Sequence, residues 1–256
     1  MGVLLLLTIV GLGIYSDACA LGPADVNDDI KLWLDASDME YLFKDVACST
    51  NVSASDQKVQ CWKDRSGNEA HVTTKNPFGP PNNFGQPRYK PNHINGKPAL
   101  YFQKNKKAAL TKSLGSEKWT GDYTLFLVVK QIKKAGAGYP KRSSFFSSGF
   151  DNTHMQIGHG NTGSTKKNVW VWMNNSSGDS TKFTQGSLDP RIYAVRDGDS
   201  RRITYTNGKL ENSDAKENGR NFTEYQIGVD RTRTAFNGNY IAEVILYSRY
   251  LNDCEF

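Results

Sequence analysis

The sequence predicts an all-β protein folded as an antiparallel two-sheet jelly-roll sandwich. Three observations lead to this prediction. Short apolar runs recur along the chain, turn-forming glycine, asparagine and serine residues separate them, and no stretch keeps the 3.6-residue period of a long helix. Hydrophobic residues make up 38% of the 256 residues, which is enough for the core of one large all-β domain.

The strongest strand signal is the run from residue 239 to residue 251. With a period of two, Tyr240, Ala242, Val244 and Leu246 share one face, and the opposite face is also largely apolar. A strand that is apolar on both faces is typical of the middle of a sandwich. Glu243 interrupts the pattern. We expect it to be buried and to accept a hydrogen bond from a backbone amide, a tyrosine or an arginine, because an unpaired buried carboxylate is costly.

The other strands and loops follow from the same signals. Residues 76–91 contain five prolines, which predicts a long surface loop, and further loops are expected at 133–142 and 174–187. Asn207-Gly208 predicts a tight hairpin turn. Trp33, Trp62 and Trp119 are expected in the core. Predicted strands cover residues 30–36, 59–63, 98–102, 123–132, 143–148, 155–158, 169–173, 191–195, 203–206 and 225–229.

Residues 1–20 form a targeting-type segment. Its apolar run, residues 3–15, is too short to span a bilayer comfortably. Small residues ending at Ala18 and Ala20 suit signal peptidase, but no Lys or Arg precedes the run. A signal peptide and a retained short hydrophobic membrane anchor therefore both stay open, and residues 21–256 are predicted to form a single domain.

The cysteines predict an oxidising compartment. Cys48 and Cys61 bracket a 12-residue polar loop, which is suitable spacing for a disulfide across a hairpin. Cys19 and Cys254 lie at opposite ends of the chain, and they can pair because the terminal strands of such a sandwich run side by side. Glycosylation sequons, which fit a secretory route, begin at Asn51, Asn174, Asn175 and Asn221.

Four motifs in order resemble one known family. They are Leu32-Trp-Leu-Asp-Ala-Ser37, Trp62-Lys-Asp-Arg-Ser-Gly-Asn68, Ile94-Asn-Gly-Lys-Pro-Ala-Leu-Tyr-Phe102, and the closing strands over residues 227–231 and 236–251. From about residue 30 onward the chain resembles laminin-G-like modules of the concanavalin A-like lectin/glucanase superfamily. The resemblance implies a concanavalin A-like jelly roll and, as the first functional expectation, glycan or protein-ligand binding. The fold also carries hydrolases and structural proteins.

The sequence predicts no catalytic activity. Glucanases of this fold carry alternating carboxylates in the pattern Glu-x-Asp-x-x-Glu, and no such spacing occurs here. The four histidines show no metal-ligand spacing, and neither a nucleophile elbow nor a phosphate loop is present. Nothing in the sequence is therefore expected to lower a chemical barrier.

Calcium is the one cofactor that the sequence suggests. Asp64, Ser66 and Asn68 place oxygen-bearing side chains at alternate positions around Gly67, and calcium prefers such hard ligands. The alternative is an Asx turn, in which Asp64 bonds nearby backbone amides. The loop carboxylates of residues 197 and 230 are expected to face solvent.

A carbohydrate platform is predicted on the strand over residues 169–173. Trp170 and Trp172 share one face, and Asn174 continues it with an amide. Carbohydrate binding needs aromatic rings beside hydrogen-bonding groups. The alternative is that this face belongs to the core, because tryptophans are mostly buried.

A second candidate contact region is the loop that carries Lys133, Lys134, Lys141 and Arg142. With a net charge of +6 for the whole chain, this loop favours an acidic polysaccharide or a neighbouring protein subunit as partner. The other basic residues are scattered in pairs. No basic helix or arm of the kind that grips DNA is visible, so nucleic acid is not expected.

The sequence thus favours a non-catalytic, extracytosolic binding module that is secreted or held at the cell surface. The alternative from another class is a structural subunit of a large extracellular or viral assembly, of the minor capsid type, anchored by its hydrophobic N-terminus. A secreted glycan hydrolase is the third possibility. Contact with a membrane is expected only through residues 3–15, if the leader is retained.

Overall fold

A computed structural model describes residues 26–77, 83–132, 142–149, 154–160, 168–173, 180–185, 187–198, 201–215, 220–236 and 238–256. It gives the backbone alone for residues 142–143, 159–160, 168, 172–173 and 180–185. The leader, residues 1–20, lies outside the described residues. Among those residues, no helix is long and apolar enough to cross a membrane.

The described residues form short strands and three 3-10 helices. The helices are Met39–Tyr41, Lys104–Lys106 and Gly115–Glu117. The strands are β1 Ile30–Asp35, β2 Leu42–Phe43, β3 Cys61–Trp62, β4 Val72–Thr73, β5 Arg88–Ile94, β6 Lys97–Phe102, β7 Leu110–Ser113, β8 Trp119–Gly121, β9 Tyr123–Gln131, β10 Arg142–Ser147, β11 Met155–Gly160, β12 Asn168–Met173, β13 Ser180–Gln185, β14 Arg191–Gly198, β15 Arg201–Thr206, β16 Lys209–Ala215, β17 Arg220–Phe222, β18 Glu224–Ile227 and β19 Asn239–Tyr247.

These strands build two large antiparallel sheets. Sheet A has eight strands in the order β16-β15-β14-β9-β19-β6-β5, and β1 pairs with β19 beside this path. Sheet B has nine strands in the order β13-β12-β11-β10-β18-β7-β4-β3-β2. Strands β8 and β17 form a small separate pair. The predicted fold class, an antiparallel two-sheet jelly-roll sandwich, is confirmed.

The main core lies between the two sheets. Leu125, Leu127 and Val129 alternate along β9 and are fully buried there, and Val169 and Val171 of β12 in sheet B are buried in the same cluster. This is the alternation expected of strands with one face against a core. The inner faces of both sheets therefore share a single large hydrophobic cluster.

A bulge interrupts the alternation in β19. Its register with β9 shifts between Ile241 and Glu243. Ile241, Val244 and Leu246 consequently belong to the main core, whereas Ala242 joins a cluster on the outer face of sheet A. The period-two prediction placed Ala242 with Val244 and Leu246. It was wrong because a bulge adds one residue and reverses the faces.

Two predicted loops contain strands. Strand β5 begins at Arg88, inside the proline-rich segment 76–91, and β13 occupies residues 180–185 of the segment 174–187. Both lie at an end of the strand order of their sheets. Edge strands tolerate proline, which is why Pro91 fits within β5 where the register with β6 is irregular.

The tryptophans differ in burial. Trp62 is fully buried in the main core, as expected. Trp33 is only partly buried and belongs to a second cluster on the outer face of sheet A. Trp119 is partly exposed and stacks on Phe222, with ring centroids 3.7 Å apart. The expectation that all three are core residues was wrong for Trp33 and Trp119.

Covalent and ionic links fix several loops. A disulfide joins Cys48 to Cys61 across a separation of 13 residues. Cys254 is also disulfide-bonded, and its expected partner, Cys19, lies outside the described residues. Asp197, expected to face solvent, is instead 1% exposed. Its Oδ2 accepts a hydrogen bond from Arg202 Nε at 2.9 Å.

Asp230 was also expected to face solvent, and it is buried too. Its Oδ1 accepts hydrogen bonds from the backbone N–H groups of Thr234 and Ala235, at 2.8 and 2.7 Å. Asp230 therefore organises the turn before β19, and these hydrogen bonds to backbone N–H groups compensate for its burial.

Candidate functional site

The predicted tryptophan platform lies on the outer face of sheet B. Val169 and Val171 of β12 are fully buried in the main core, so the alternating positions 170 and 172 are on the opposite face. Trp170 is partly exposed. The side chain of Trp172 and all of Asn174 lie outside the described residues. The face that carries Trp170 is therefore not the main core, and its role in binding stays a prediction.

The predicted lysine-rich contact region falls almost wholly outside the described residues. Lys133, Lys134 and Lys141 are not described, and Arg142 is described only as the first residue of β10, opposite Gly160. The prediction that this loop binds an acidic partner is therefore neither supported nor opposed.

The calcium candidate has the geometry of a turn. Both oxygens of Asp64 accept hydrogen bonds: Oδ1 from the N–H groups of Trp33 and Ser66, and Oδ2 from Ser66 Oγ and the N–H of Ala70. Asn68 directs its amide nitrogen, not its oxygen, at Ser66 Oγ. This arrangement favours the Asx turn over calcium ligation. Among the described residues, no cluster of three His, Cys, Asp or Glu side chains could hold a metal.

Two sequons lie on described strands or bridges. Asn51 is exposed, and its Nδ2 donates to the carbonyls of Met39 and Glu40. Asn221 lies in β17, where its Oδ1 accepts a hydrogen bond from Thr120 Oγ1 at 2.6 Å. Asn174 and Asn175 lie outside the described residues. Glycosylation at all four stays a prediction.

A groove opens on the outer face of sheet A, where three strands meet. Strand β19 pairs with β6 along its first half and with β1 along its second half. The end of β1 therefore meets the start of β6 beside the β19 bulge. The space there measures about 350 Å³, and we call it the outer groove. Its lining includes Asp35, Ile94, Lys97, Val128, Ala242 and Glu243.

Two carboxylates face each other across the strands of the outer groove. Asp35 of β1 is the register partner of Glu243. Asp35 Oδ2 accepts a hydrogen bond from Arg65 Nη1 at 2.7 Å, and its Oδ1 accepts from the N–H of Ser37. Glu243 Oε1 accepts a hydrogen bond from Trp33 Nε1 at 3.0 Å. Each carboxylate is held in a fixed orientation, yet both line the open groove.

The Glu243 carboxyl is partly desolvated. Burial raises the pKa of Glu243 above its usual value, and the neighbouring Asp35 charge raises it as well. The hydrogen bond from Trp33 and the charge of Arg65 act in the opposite direction. The site therefore combines one carboxyl with an elevated pKa and another that is paired with an arginine.

An aromatic strip continues from the groove along the outer face. Tyr240 of β19 lies opposite Tyr101 of β6, with ring centroids 5.0 Å apart, and His93 of β5 lies 4.6 Å from Tyr240. All three rings are partly exposed. Tyr240 packs on the apolar cluster that contains Ala242 and Ile94. The aromatic strip, residues 93, 101 and 240, is therefore continuous with the floor of the outer groove.

Sequence reasoning identified Glu243 but not the site around it. The predicted partners of Glu243 were a backbone amide, a tyrosine or an arginine, whereas the donor is Trp33, 210 residues away. The pairing of Asp35 with Glu243 depends on β1 lying beside β19. A search for alternating carboxylates within one strand could not detect it. The signal that was available is the motif resemblance, which places residues 32–37 and 236–251 in one fold.

Solved structures with the same fold include carbohydrate-active and toxin proteins. A GH54 α-L-arabinofuranosidase soaked with a cyclic sulfate inhibitor is 15% identical, over 77% of this chain and 48% of that one, with a TM-score of 0.58. Domain 4 of a GH43 extracellular arabinanase from Geobacillus stearothermophilus, in complex with arabinotriose, is 15% identical. The match covers 89% of this chain and 96% of that domain, with a TM-score of 0.57. The binding domain of botulinum neurotoxin serotype D is 12% identical over 88% of this chain and 50% of that one, with a TM-score of 0.55.

These likenesses show a shared jelly-roll-like β-sandwich. No protein family and no curated protein matches the sequence. The chain spans about half the length of the arabinofuranosidase and toxin chains, and nearly all of the arabinanase domain. At such low identities the likeness is one of fold, and function has to be argued from the site.

Proposed function

We propose that this chain is a non-catalytic glycan-binding module of laminin-G-like type that works outside the cytosol. The observation that carries the proposal is the aromatic strip beside the two groove carboxylates, Asp35 and Glu243. The disulfide between Cys48 and Cys61 supports an extracytosolic setting, because disulfides persist in oxidising compartments.

The chemistry of the outer groove suits a sugar. A pyranose or furanose ring has an apolar face of C–H groups, which packs on aromatic rings such as Tyr240 and Tyr101. Its hydroxyl groups donate hydrogen bonds, which ionised carboxylates accept strongly. A concave site with an apolar floor and a few fixed polar groups is the usual form of a small-ligand site. Asp35 and Glu243 are such fixed groups, because Arg65 and Trp33 orient them.

Glycan hydrolysis is the second candidate function, and the carboxylate pair itself favours it. Glycosidases use two carboxyl groups, one of which acts as an acid because its pKa is raised. We nevertheless propose binding. The hydrogen bonds that Asp35 accepts from Ser37 N–H and Arg65 Nη1 stabilise its negative charge, which makes it a weaker nucleophile.

Isothermal titration calorimetry with a panel of neutral oligosaccharides, arabinotriose among them, would test the proposal. We expect the parent protein to bind at least one member of the panel. Tyr240→Ala should weaken that binding about tenfold or more, or about 1.4 kcal/mol, whereas Tyr240→Phe should retain it because the ring remains. Glu243→Gln should weaken binding as well, since hydrogen bonds to charged groups contribute about 1.5–3 kcal/mol.

Glu211→Gln, an exposed substitution on β16, serves as the matched control and should leave binding unchanged. Each titrated mixture should also be analysed for shorter saccharides. Their appearance with the parent protein, and their loss with Glu243→Gln, would favour hydrolysis over binding alone. Failure of the whole panel to bind, or binding that is indifferent to Tyr240→Ala, would contradict the proposed site.

A further inference from the structure

A cationic cleft lies beyond the far end of the aromatic strip. The space measures about 420 Å³, and we call it the basic cleft; its lining includes Lys58, Phe84, Arg88, Gln103 and Lys106. Arg88 of β5 is the register partner of Tyr101 in β6. The basic cleft therefore begins next to a ring of the aromatic strip.

The outer groove, the aromatic strip and the basic cleft share one face of sheet A. Tyr89 is buried in the main core, so its neighbour Arg88 points to the outer face, as alternation along a strand requires. Pro98 lines the outer groove and Gln103 lines the basic cleft. Five residue steps separate these two positions, or about 17 Å along the strand direction. A short oligosaccharide can span that distance.

Two cations of the basic cleft, Lys58 and Lys106, have no carboxylate partner in the part of the chain that the structure describes. Lys58 and Lys106 are exposed, and neither forms an ion pair with any residue that the structure describes. Arg88 donates from Nε to Gln103 Oε1 at 3.3 Å and from Nη1 to the carbonyl of Asp56 at 2.7 Å. These contacts fix the guanidinium without neutralising its charge.

Asp56, a carboxylate whose pKa the charge of Arg88 lowers, is already paired with another cation. Asp56 forms a salt bridge with Lys90, and the hydrogen bond from Lys90 is the main reason why the pKa of Asp56 is below its usual value. The remaining positive charge in the basic cleft is therefore available to an anion.

We propose that the ligand is an acidic oligosaccharide that lies along the outer face in one direction. This inference rests on the proposed function. The carboxylate or sulfate group of the ligand binds in the basic cleft, near Lys58, Arg88 and Lys106, and a neutral unit occupies the outer groove. Asp35 and Glu243 repel an anionic group at the groove end. The two ends of the site thus have opposite charge preferences, which fix the orientation of the chain.

A nucleic acid fits the same surface poorly. Its phosphates would carry negative charge to the Asp35–Glu243 end as well as to the basic cleft.

Matched pairs of ligands would test the inference. The probes are uronic, sialic and sulfated oligosaccharides, each compared with its neutral counterpart: the carboxyl-reduced or desulfated form. Calorimetry at low and high salt would give the affinity of each. We expect an acidic member to bind about tenfold more tightly than its neutral counterpart at low salt, and the advantage to shrink at high salt, because salt screens exposed charges.

The variant Lys58→Gln/Lys106→Gln should abolish most of the preference for the acidic member, measured as the ratio of the affinities for the acidic and the neutral member. The control Lys118→Gln/Lys209→Gln removes two exposed lysines outside the basic cleft. It should change the affinity for neither the acidic nor the neutral member. Tyr240→Ala should weaken both members.

The possible results separate the two proposals. Equal binding of acidic and neutral members, or an acid preference that survives Lys58→Gln/Lys106→Gln, would overturn this inference and leave glycan binding standing. Absence of binding by every acidic and neutral member would overturn both. Competition by single-stranded DNA that is as strong as that by the acidic saccharide, and is unaffected by Tyr240→Ala, would show a nucleic-acid surface instead.

Discussion

At the scale of single residues, Glu243 links stability to pH. Its side chain lies beside Ala242 in the outer groove, and its main hydrogen-bond donor is Trp33 Nε1. Burial raises the pKa of Glu243 in the folded protein above its usual value. For a carboxyl with a raised folded-state pKa, the stabilising contribution is fully present below the unfolded pKa. It is lost as the pH rises through the folded pKa.

Glu243→Gln should therefore become more stable relative to the parent protein as the pH rises. Glutamine cannot ionise, and its Oε1 still accepts the hydrogen bond from Trp33. The difference in melting temperature, variant minus parent, should increase between about pH 4 and about pH 7, the range above the usual glutamate pKa of about 4.3. Thermal melts of both proteins at several pH values would measure it. Glu211→Gln should show a much smaller trend, and a flat difference for Glu243→Gln would contradict the prediction.

Glu243 was predicted to be buried and is only partly buried, and its hydrogen-bond donor was not predicted. An apolar strand on both sides of a carboxylate predicts burial from sequence alone, because the neighbours in the strand are known. The donor, Trp33, and the facing carboxylate, Asp35, both come from β1, which pairs with β19 only in the folded chain. Terminal strands were expected to run side by side in such a sandwich, but local sequence patterns do not specify the register that places Asp35 opposite Glu243.

At the scale of elements, the strands that could be predicted from the sequence are those that are buried in the structure. Strands β9 and β19 are apolar on both faces and were predicted from their observed first residues, although β19 ends at Tyr247 and not at residue 251. Strand β16, Lys209–Ala215, is largely exposed and polar, so hydrophobic periodicity gives no signal for it. Its position follows instead from the Asn207-Gly208 turn, whose positive φ angles of 50° and 75° suit a two-residue hairpin that brings β16 beside β15.

Gly228, which follows β18, is an element-scale test of how the two sheets pack. Its φ is 80°, and a Cβ at this position would lie 2.3 Å from Phe102 of sheet A. Gly228→Ala should cost about 2–4 kcal/mol, from the left-handed backbone conformation together with overpacking. Gly208 also has a positive φ, but a Cβ there would meet nothing within 4 Å. Gly208→Ala should therefore lower the free energy of unfolding by only about 1–2 kcal/mol. Urea unfolding would measure both losses. Equal losses of unfolding free energy for the two variants would show that the contact with Phe102 does not contribute to stability.

The Cys48–Cys61 disulfide is the second element-scale test. It closes a loop over a sequence separation of 13 residues, and in the chain-entropy account a loop of this length contributes about 3 kcal/mol. The double variant Cys48→Ala/Cys61→Ala should therefore lose about 2–4 kcal/mol of unfolding free energy in urea. Ser55→Ala lies within the same loop and removes an exposed side chain, so it should lower the free energy of unfolding by less than about 0.5 kcal/mol. A double variant as stable as the parent would show that the loop is held by other contacts.

At the scale of the whole molecule, the two described ends of the chain meet on the outer face of sheet A. Tyr247 Oη donates to the carbonyl of Val26 at 3.0 Å, and the N–H of Ser248 donates to the carbonyl of Asp29 at 2.9 Å. The C-terminal Phe256 packs against Phe126 of β9, with centroids 5.1 Å apart. The chain itself therefore covers one end of this face and leaves the outer groove and the aromatic strip accessible at the other.

Phe256→Ala tests this division of the face. Phe256 contacts Phe126 and Tyr205, and the guanidinium of Arg196 lies 4.6 Å from its ring centroid. Truncating a fully buried Phe to Ala lowers the free energy of unfolding by about 3–5 kcal/mol. Because Phe256 is only partly buried, we expect Phe256→Ala to lower it by about 1–3 kcal/mol in urea unfolding. Leu188→Ala, which removes a side chain that is 42% exposed, should stay within about 0.5 kcal/mol. Because Phe256 packs at the end of the face away from the aromatic strip, its loss should lower stability while leaving glycan affinity unchanged. A variant that kept its stability but lost glycan binding would show instead that the C-terminal segment belongs to the binding site.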